Sequence, residues 1–161
     1  MSQPPLTTLA AAVLHLARAP ERVLEIGCGE GDAVLFLARE FPQARVRGLD
    51  ASAATVRAAV ARVGLDPEGR VAFKAGRPGS LPYPDDHFDL VVCRHGPPSA
   101  REAARVLRSG GCLLYLEPQR RGTARLRLAW SEWTLAQRGF ETLRHEEAAG
   151  ARFWLGRLAS T

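Results

Sequence analysis

The chain has 161 residues, of which 46% are hydrophobic and 24% are charged, and its formal net charge is +5. This mixture is typical of one globular domain and excludes a disordered chain, and no apolar run is long enough to span a membrane. The charge is uneven, because residues 119–161 hold 8 of the 22 basic side chains but only 4 of the 17 acidic ones. Such a basic segment can indicate a nucleic-acid partner, but we favour a solvated, arginine-rich surface.

Residues 6–19 are apolar enough to suggest a signal peptide, but no basic side chain precedes them and His15 interrupts the run. The sequence therefore predicts a soluble cytoplasmic protein.

The cysteines Cys28, Cys93 and Cys112 are widely spaced and form no CxxC pair. Neither a disulfide scaffold nor a metal site is expected from them.

Apolar periodicity, caps and glycine stops predict helices at 6–19, 32–40, 52–63, 99–108 and 121–138, and strands at 22–27, 44–50, 71–76, 88–94, 112–117, 140–145 and 152–158. This alternation predicts parallel strands joined by helices. The last two strands must be antiparallel, because only a short turn joins them. We expect a doubly wound α/β sheet with one reversed strand at an edge.

Six residues or pairs carry local predictions. Ser52 is expected to cap a helix, and Ser99 with Glu102 to form a capping box. Gly110 and Gly111 are expected to end a helix, and Asp89 to fix the start of a strand. Trp130 and Trp133 are expected in the core.

A glycine-rich turn between a strand and a helix is the strongest chemical signal in the sequence. The turn Gly27-Cys28-Gly29-Glu30-Gly31 follows a buried strand, and glycine lets a ligand approach bare backbone. In open α/β sheets, ligands bind outside the carboxyl ends of the strands. Asp50 ends the next strand, where a carboxylate can accept both ribose hydroxyls of a nucleoside. The pattern therefore predicts a nucleoside-binding site.

The spacing of the glycines and the preceding Glu25 discriminate between nucleoside ligands. Dinucleotide sites use GxGxxG, whereas this turn is GxGxG. A carboxylate beside the turn would repel a pyrophosphate, which disfavours a nicotinamide-dependent oxidoreductase. It favours a ligand that carries an ammonium group, and S-adenosylmethionine has an ammonium and a sulfonium but no phosphate.

Four stretches, in order, resemble motifs of the class I S-adenosylmethionine-dependent methyltransferases, in the small-molecule branch of the ubiquinone and menaquinone methyltransferases (methyltransferase type 11). They are Glu25-x-Gly27-x-Gly29-x-Gly31, GLDAS at 48–52, LPYPDDHFDLVV at 81–92 and EAARVLRSGG at 102–111. The resemblance implies a Rossmann-like seven-stranded sheet of order 3-2-1-4-5-7-6, with strand 7 antiparallel and helices on both faces. It also implies one domain over 1–161, made of an N-terminal helix (1–20), a cofactor-binding half (21–118), and a last helix with the closing strand pair (119–161).

The implied reaction is transfer of a methyl group from S-adenosylmethionine to a small-molecule acceptor by in-line displacement, with no metal. The residues expected to bind the cofactor are Glu25, Gly27, Cys28, Gly29, Gly31, Asp50, Ala51, Gly76, Arg77 and Cys93. His95 is the candidate general base, with a loop histidine bonded to backbone as the alternative. Arg94, Arg120 and Arg121 are candidates for binding an anionic acceptor.

The sequence departs from the family at Gly76-Arg77, where relatives usually have Gly-Asp and the carboxylate accepts the adenine amino group. Arginine cannot accept a hydrogen bond, so a methyltransferase-fold binding protein without catalysis stays open as an alternative.

The basic C-terminal segment keeps RNA methylation open as a further alternative, although a nucleic-acid partner is not favoured. No sizeable insertion follows Glu117, so the site is expected to be open, or covered by the N-terminal helix or by a second copy in a homodimer.

Overall fold

The computed structural model describes residues 5–64, 66–94, 98–117 and 132–160. The elements are α1 (Leu6–Val13), β1 (Arg22–Ile26), α2 (Asp32–Glu40), β2 (Arg45–Asp50), α3 (Ala53–Val63), β3 (Val71–Ala75), β4 (Phe88–Cys93), α4 (Ala100–Val106), β5 (Leu107–Glu117), β6 (Phe140–Ala148) and β7 (Ala151–Leu158). Most of the predicted helix 121–138 lies outside the described residues, while 132–136 are helical.

The strands form a seven-stranded sheet of order β3-β2-β1-β4-β5-β7-β6, which confirms the predicted topology. Strands β1 to β5 pair in parallel, whereas β7 is antiparallel to both β5 and β6. The chain leaves β1 towards β2 on one side and later returns to β4 on the other. This reversal opens a crevice at the carboxyl end of β1, where ligands bind in sheets of this kind.

The helices flanking this crevice begin and end where the sequence predicts. The helix α2 spans the predicted Asp32–Glu40. At α3, the Ser52 hydroxyl accepts a hydrogen bond from the Thr55 amide at 3.2 Å, and Gly64 follows the helix with φ of 77°. A cap of this kind contributes about 1 kcal/mol to stability. Both helix starts therefore follow from local sequence.

The N-terminal helix is shorter than predicted and packs against the last three strands of the chain. It ends at Val13, and the amides of His15 and Leu16 then bond to carbonyls three residues back in a tightened last turn. Its contacts are with β5, β6 and β7, and the Thr8 hydroxyl donates to the Ala148 carbonyl at 2.9 Å. That this helix covers the site stays a prediction.

The predicted helix stop at Gly110 and Gly111 is also wrong, because α4 ends at Val106 and both glycines lie within β5. The register on β4 shifts here, so that Leu107 pairs with Phe88 but Cys112 pairs with Leu90. Gly110 has φ of 76°, and a Cβ at Gly111 would lie 2.8 Å from the Arg108 carbonyl oxygen. The glycines serve a β-bulge instead of a helix end.

Asp89, on β4, ties the start of β1 to the sheet, as predicted. Its Oδ2 accepts hydrogen bonds from the amides of Glu21 at 3.0 Å and Arg22 at 2.8 Å. Its Oδ1 accepts from the Arg108 guanidinium at 3.0 Å. The carboxylate thus holds three backbone segments together at the amino edge of the sheet, far from the crevice.

Apolar side chains bury both faces of the sheet. One face packs under α1 and α2 around Val34, Leu37 and Phe153, and the other packs under α4 around Phe88 and Trp154. No helix in the described ranges combines the length and apolar character needed to cross a membrane.

The predicted core position of Trp133 is wrong, since its side chain is 61% exposed. Leu135, two residues further, is buried instead. Two residues in a helix are about 200° apart, so the two side chains point to opposite sides. Trp130 lies outside the described residues.

Candidate functional site

The glycine turn folds over the carboxyl end of β1 through backbone conformations that favour glycine. Gly27, Gly29 and Gly31 have φ of 76°, 53° and 89°, which lie in the left-handed region. The amides of Gly27 and Cys28 both donate to the Leu49 carbonyl of β2, at 2.7 and 2.9 Å. The turn is therefore fixed against β2 and presents its backbone to the crevice.

Gly31 serves packing as well as conformation. A Cβ there would lie 2.8 Å from the Phe73 ring of β3, and a Cβ at Gly48 would lie 2.6 Å from the same ring. Phe73 thus fills the space that two absent side chains leave. A direct contact between Gly31 and the cofactor stays a prediction.

Asp50 joins the ends of β1 and β2. Its Oδ2 accepts from the Gly29 amide at 3.1 Å, and its Oδ1 accepts from the Ser52 amide at 2.9 Å. Each carboxylate oxygen keeps further accepting capacity. The group is held in one orientation, at the edge of the crevice, with room to accept hydroxyl donors.

A cleft of about 190 Å³ opens beside these groups. Its walls are Gly27, Gly29, Leu49, Asp50, Ala51, Gly76 and Pro78. Small-molecule pockets are usually about 300–1,000 Å³, so the described residues surround part of a site rather than a whole one. Five of the predicted cofactor residues, from three separate strand ends, meet in this cleft.

Arg77 stands at the cleft rim with an exposed side chain. Its carbonyl accepts from the Ser80 amide at 3.1 Å, which closes a tight turn beside Gly76. Within the described ranges its guanidinium has no hydrogen-bond partner. An unpaired cation thus stands where the family resemblance implies an adenine-accepting carboxylate.

Glu25 and Arg94 form a buried ion pair behind the glycine turn. Arg94 Nε donates to Glu25 Oε1 at 2.8 Å, and the two side chains are 0% and 2% exposed. Burial raises the Glu25 pKa to about 7, while Arg94 acts in the opposite direction. Glu25 Oε2 has no hydrogen-bond partner among the described residues. Arg94 therefore lies inside the protein, next to the predicted cofactor residues.

The thiols beside the site are not activated. Cys28 and Cys93 are buried. Burial, with the nearby Glu25 and Asp50 carboxylates, raises the Cys28 pKa to about 12, and burial likewise raises the Cys93 pKa. Only a thiolate is a strong nucleophile. Cys28 packs within the glycine turn, and Cys93 packs at the end of β4.

The loop behind Gly76 is held by Glu102 and Arg105 of α4, a role that the sequence analysis did not assign. Arg105 donates to the carbonyls of Leu81 and Tyr83, each at 2.9 Å, and to Asp85 Oδ1 at 2.7 Å. A Cβ at Gly76 would lie 3.1 Å from Pro82. The network therefore supports the wall of the cleft from behind. Its sequence signal was the EAARVLRSGG stretch at 102–111, which contains both Glu102 and Arg105.

The capping box at α4 is only half formed. The Ser99 hydroxyl accepts from the Glu102 amide at 3.4 Å, as predicted. The Glu102 carboxylate instead accepts from the Leu81 amide at 2.7 Å and from Arg105 at 2.8 Å. Those bonds lower the Glu102 pKa to about 2. A charged donor outcompetes the backbone amide that a capping box would use.

His95, Arg120 and Arg121 lie outside the described residues. The candidate base and two of the three candidate acceptor-binding groups therefore stay predictions. The neighbouring strand ends, Cys93 of β4 and Glu117 of β5, lie on the same edge of the sheet as the cleft.

The sheet order and the glycine turn at its reversal are typical of nucleoside-binding α/β proteins, and comparisons with known proteins specify the class. Residues 23–111 match the methyltransferase domain family. The fatty-acid O-methyltransferase of Mycolicibacterium smegmatis is 36% identical over 123 residues, which cover 72% of this chain and 42% of that protein. The demethylmenaquinone methyltransferase of Deinococcus radiodurans is 35% identical over 115 residues, covering 67% and 47%. The chain spans less than half the length of these relatives.

Solved structures share the fold. The YcgJ protein of Bacillus subtilis superposes with a TM-score of 0.71 at 19% identity, covering 96% of this chain and 98% of the other. An S-adenosylmethionine-dependent methyltransferase of Aquifex aeolicus gives 0.72 at 19% identity, covering 92% and 89%. At such identities the likeness concerns the fold alone.

The chain belongs to the class I S-adenosylmethionine-dependent methyltransferases and is similar to ubiquinone and menaquinone methyltransferases. The family cofactor is S-adenosylmethionine, and the described residues fit it. Bare backbone at Gly27 and Gly29 allows close approach, and Asp50 can accept ribose hydroxyls. The unpartnered Glu25 Oε2 can accept a hydrogen bond from an ammonium.

Proposed function

We propose that the chain transfers a methyl group from S-adenosylmethionine to a small-molecule acceptor by in-line displacement. The observation that carries the proposal is the convergence of Gly27, Gly29 and Asp50 on one cleft, beside a buried carboxylate with an unpartnered oxygen. When bound, the cofactor supplies a methyl group that its sulfonium already activates. The task left to the protein is to align the reactants, which can be worth effective molarities of about 10⁵–10⁸ M.

The chain's own residues divide this task. Asp50 would orient the ribose, because its carboxylate is already fixed by Gly29 and Ser52. The glycines of the turn have no side chains, so a ligand could approach their backbone closely. Arg77 would leave the adenine amino group without its usual acceptor, so backbone groups near Pro78 would read the base. His95 would take a proton where the acceptor must lose one.

The names of the relatives support a small acceptor. They include methyltransferases of fatty acids and of demethylmenaquinone. A fatty acid carries a carboxylate on an apolar body. Arg120 and Arg121 are proposed to meet the anionic end of such an acceptor.

The experiment is methyl transfer from methyl-labelled S-adenosylmethionine to a panel of fatty acids, phenols, quinols and RNA. Gly29→Arg fills the cleft and should abolish transfer. Gly69→Arg is the matched control, because Gly69 also has positive φ but no atom lies within 4 Å of an added Cβ. Label in small molecules supports the proposal. Label in RNA alone, or cofactor binding without any transfer, would point to the RNA methyltransferase or to the binding protein instead.

A further inference from the structure

Several arginines lie close together at the amino edge of the sheet, at the strand ends opposite to the cleft. Arg22 of β1 and Arg45 of β2 are register partners, so their side chains lie next to each other on one face of the sheet. Arg47 follows two residues later on the same face. Like charges directly opposite each other on neighbouring strands are destabilising. The fold therefore holds three cations together at a cost in stability.

Two further basic groups lie beside these arginines. Arg22 Nη1 lies 3.4 Å from His87 Nδ1, and because arginine only donates, the imidazole nitrogen accepts and the ring is neutral. The Asp89 carboxylate accepts from the Arg22 amide at 2.8 Å and from the Arg108 guanidinium at 3.0 Å. Burial lowers the pKa of His87, and the charges of three arginines lower it further, while Asp89 acts in the opposite direction. The three are Arg22, Arg108 and Arg47. Arg22, Arg45, Arg47 and Arg108 thus form an arginine cluster beside His87.

The positive charge of the arginine cluster is poorly compensated. Asp89 is the one carboxylate bonded into it within the described ranges, and its oxygens already accept from two amides and one guanidinium. The Arg47 guanidinium donates only to backbone carbonyls there, and the Arg45 guanidinium has no partner among the same residues. Four guanidiniums against one carboxylate leave three positive charges without a counter-charge. An anion bound among them would remove this repulsion.

The surroundings of the cluster restrict which anion fits. Arg45 is exposed and the other three arginines are partly exposed, and the connection between β3 and β4, residues 76–87, contains no helix that could cover them. Exposed carboxylates at Glu21 and Asp86 directly precede Arg22 and His87. They would repel a long polyanion at the border of the cluster while its centre stays positive. The arrangement therefore favours a compact anion.

We propose that the arginine cluster binds the diphosphate group of a small molecule, at a site separate from the cleft. Guanidiniums bind phosphate oxygens through paired N–H donors. A single phosphate group carries about −1.5 to −2 charges near pH 7, so two linked phosphates match the three uncompensated charges more closely than one does. Arg45 would supply donors that no described residue uses, and the bound group would separate it from Arg22.

Calorimetry with inorganic pyrophosphate tests the site without any methyl transfer, at low ionic strength, where exposed charges are least screened. We expect one pyrophosphate per chain, bound more tightly than inorganic phosphate. Arg45→Met should weaken pyrophosphate binding by about tenfold or more, the effect of a lost hydrogen bond to a charged group. Because Arg45 is exposed and without a partner among the described residues, this variant should fold like the wild type.

Two control variants separate the cluster from other arginines. Arg57→Met also removes an exposed arginine, but on α3, and should leave the affinity for pyrophosphate unchanged. Arg77→Met removes the unpaired cation at the rim of the cleft and should leave it unchanged as well. Equal losses in Arg45→Met and Arg57→Met would show that only net charge matters, and a loss in Arg77→Met alone would place the anion at the cleft. Either result would overturn the proposal.

Proton NMR of the histidine rings gives a second measurement. A bound diphosphate offsets the arginine charges, so the pKa of His87 should rise when pyrophosphate is added, while the resonances of His15 and His145 should stay in place. His87→Gln identifies the resonance. An unchanged His87, no binding of pyrophosphate, or binding of a single-stranded oligoribonucleotide in place of pyrophosphate would each overturn the site.

Discussion

The carboxylate of Asp50 accepts a hydrogen bond from the amide of Gly29 at 3.1 Å, across the gap between the ends of β2 and β1. The same carboxylate accepts from Ser52 at the start of α3. The residue expected to hold the ribose is thus also the residue that closes the glycine turn. We therefore expect ligand binding and local stability to be coupled at Asp50.

Replacement of Asp50 by asparagine should affect both properties. An amide keeps one acceptor oxygen, so one of the two backbone bonds and the charge are lost. We expect S-adenosylhomocysteine to bind about tenfold or more weakly and the free energy of unfolding to fall by about 1–2 kcal/mol. Calorimetry and urea unfolding measure the two effects.

Asp66→Asn is the control for this variant. Asp66 likewise accepts from two backbone amides, those of Glu68 and Val71, but before β3 at the opposite edge of the sheet. It should lower stability without changing affinity. Equal affinities for the wild type and Asp50→Asn would remove Asp50 from the site.

Arg77→Asp should strengthen cofactor binding. It introduces the carboxylate that the family resemblance implies after β3, and it removes a cation that has no partner within the described part of the chain. We expect S-adenosylhomocysteine to bind about tenfold more tightly, consistent with one added hydrogen bond to a charged acceptor. Arg77→Met removes only the cation, so it should give less of the gain. Weaker binding by Arg77→Asp would show that Arg77 itself takes part in recognition.

Gly31→Ala should destabilise the protein more than Gly69→Ala does. Both glycines have positive φ, but an added Cβ at Gly31 meets the Phe73 ring at 2.8 Å, while nothing lies within 4 Å at Gly69. We expect about 1–2 kcal/mol for the backbone strain at either position, and about 1–3 kcal/mol more at Gly31 for the steric conflict.

Thermal or urea unfolding of both variants measures this difference. Phe73→Leu, added to Gly31→Ala, should recover part of the loss, because the smaller side chain leaves room for the Cβ while the strain at Gly31 remains. Similar losses at the two glycines would contradict the packing role assigned to Gly31.

Glu25 should make stability fall as the pH rises from about 4.5 to about 7. Its folded-state pKa is about 7, against an ordinary value of 4.5, so the folded state holds a proton that the unfolded state has released in this window. The loss is complete once the pH exceeds the folded-state pKa. Below pH 4.5 the group is protonated in both states and contributes no pH dependence.

The measurement is the free energy of unfolding from pH 4 to 8, compared between the wild type and Glu25→Gln. The difference between the two should change across this window, since glutamine does not titrate. A difference that stays constant with pH would show that Glu25 keeps its ordinary pKa in the folded protein.

Local signals predicted much of this fold. Helix α2, the Ser52 cap and the Asp89 tie each depend on residues within a short segment or on a motif of fixed spacing. Gly110 and Gly111 were misassigned because a glycine pair can end a helix or form a bulge, and only pairing with β4 decides. Trp133 was misassigned because an apolar stripe does not show which side meets the sheet.

The cleft was predictable where its walls lie on the glycine turn and at strand ends. The Glu25–Arg94 pair was not, because the two residues are 69 positions apart and meet only through the register of β1 on β4. The support of the cleft wall by Arg105 was missed for the same reason, since its acceptors lie in a loop about 20 residues earlier.

The most direct test of the account is a calorimetric titration of the wild-type chain with S-adenosylhomocysteine and, separately, with NADH. We predict one site per chain for S-adenosylhomocysteine, with micromolar affinity that Gly29→Arg abolishes and Gly69→Arg preserves, and no binding of NADH. Binding of NADH in place of S-adenosylhomocysteine, or S-adenosylhomocysteine binding that survives Gly29→Arg, would contradict the assignment of the cleft.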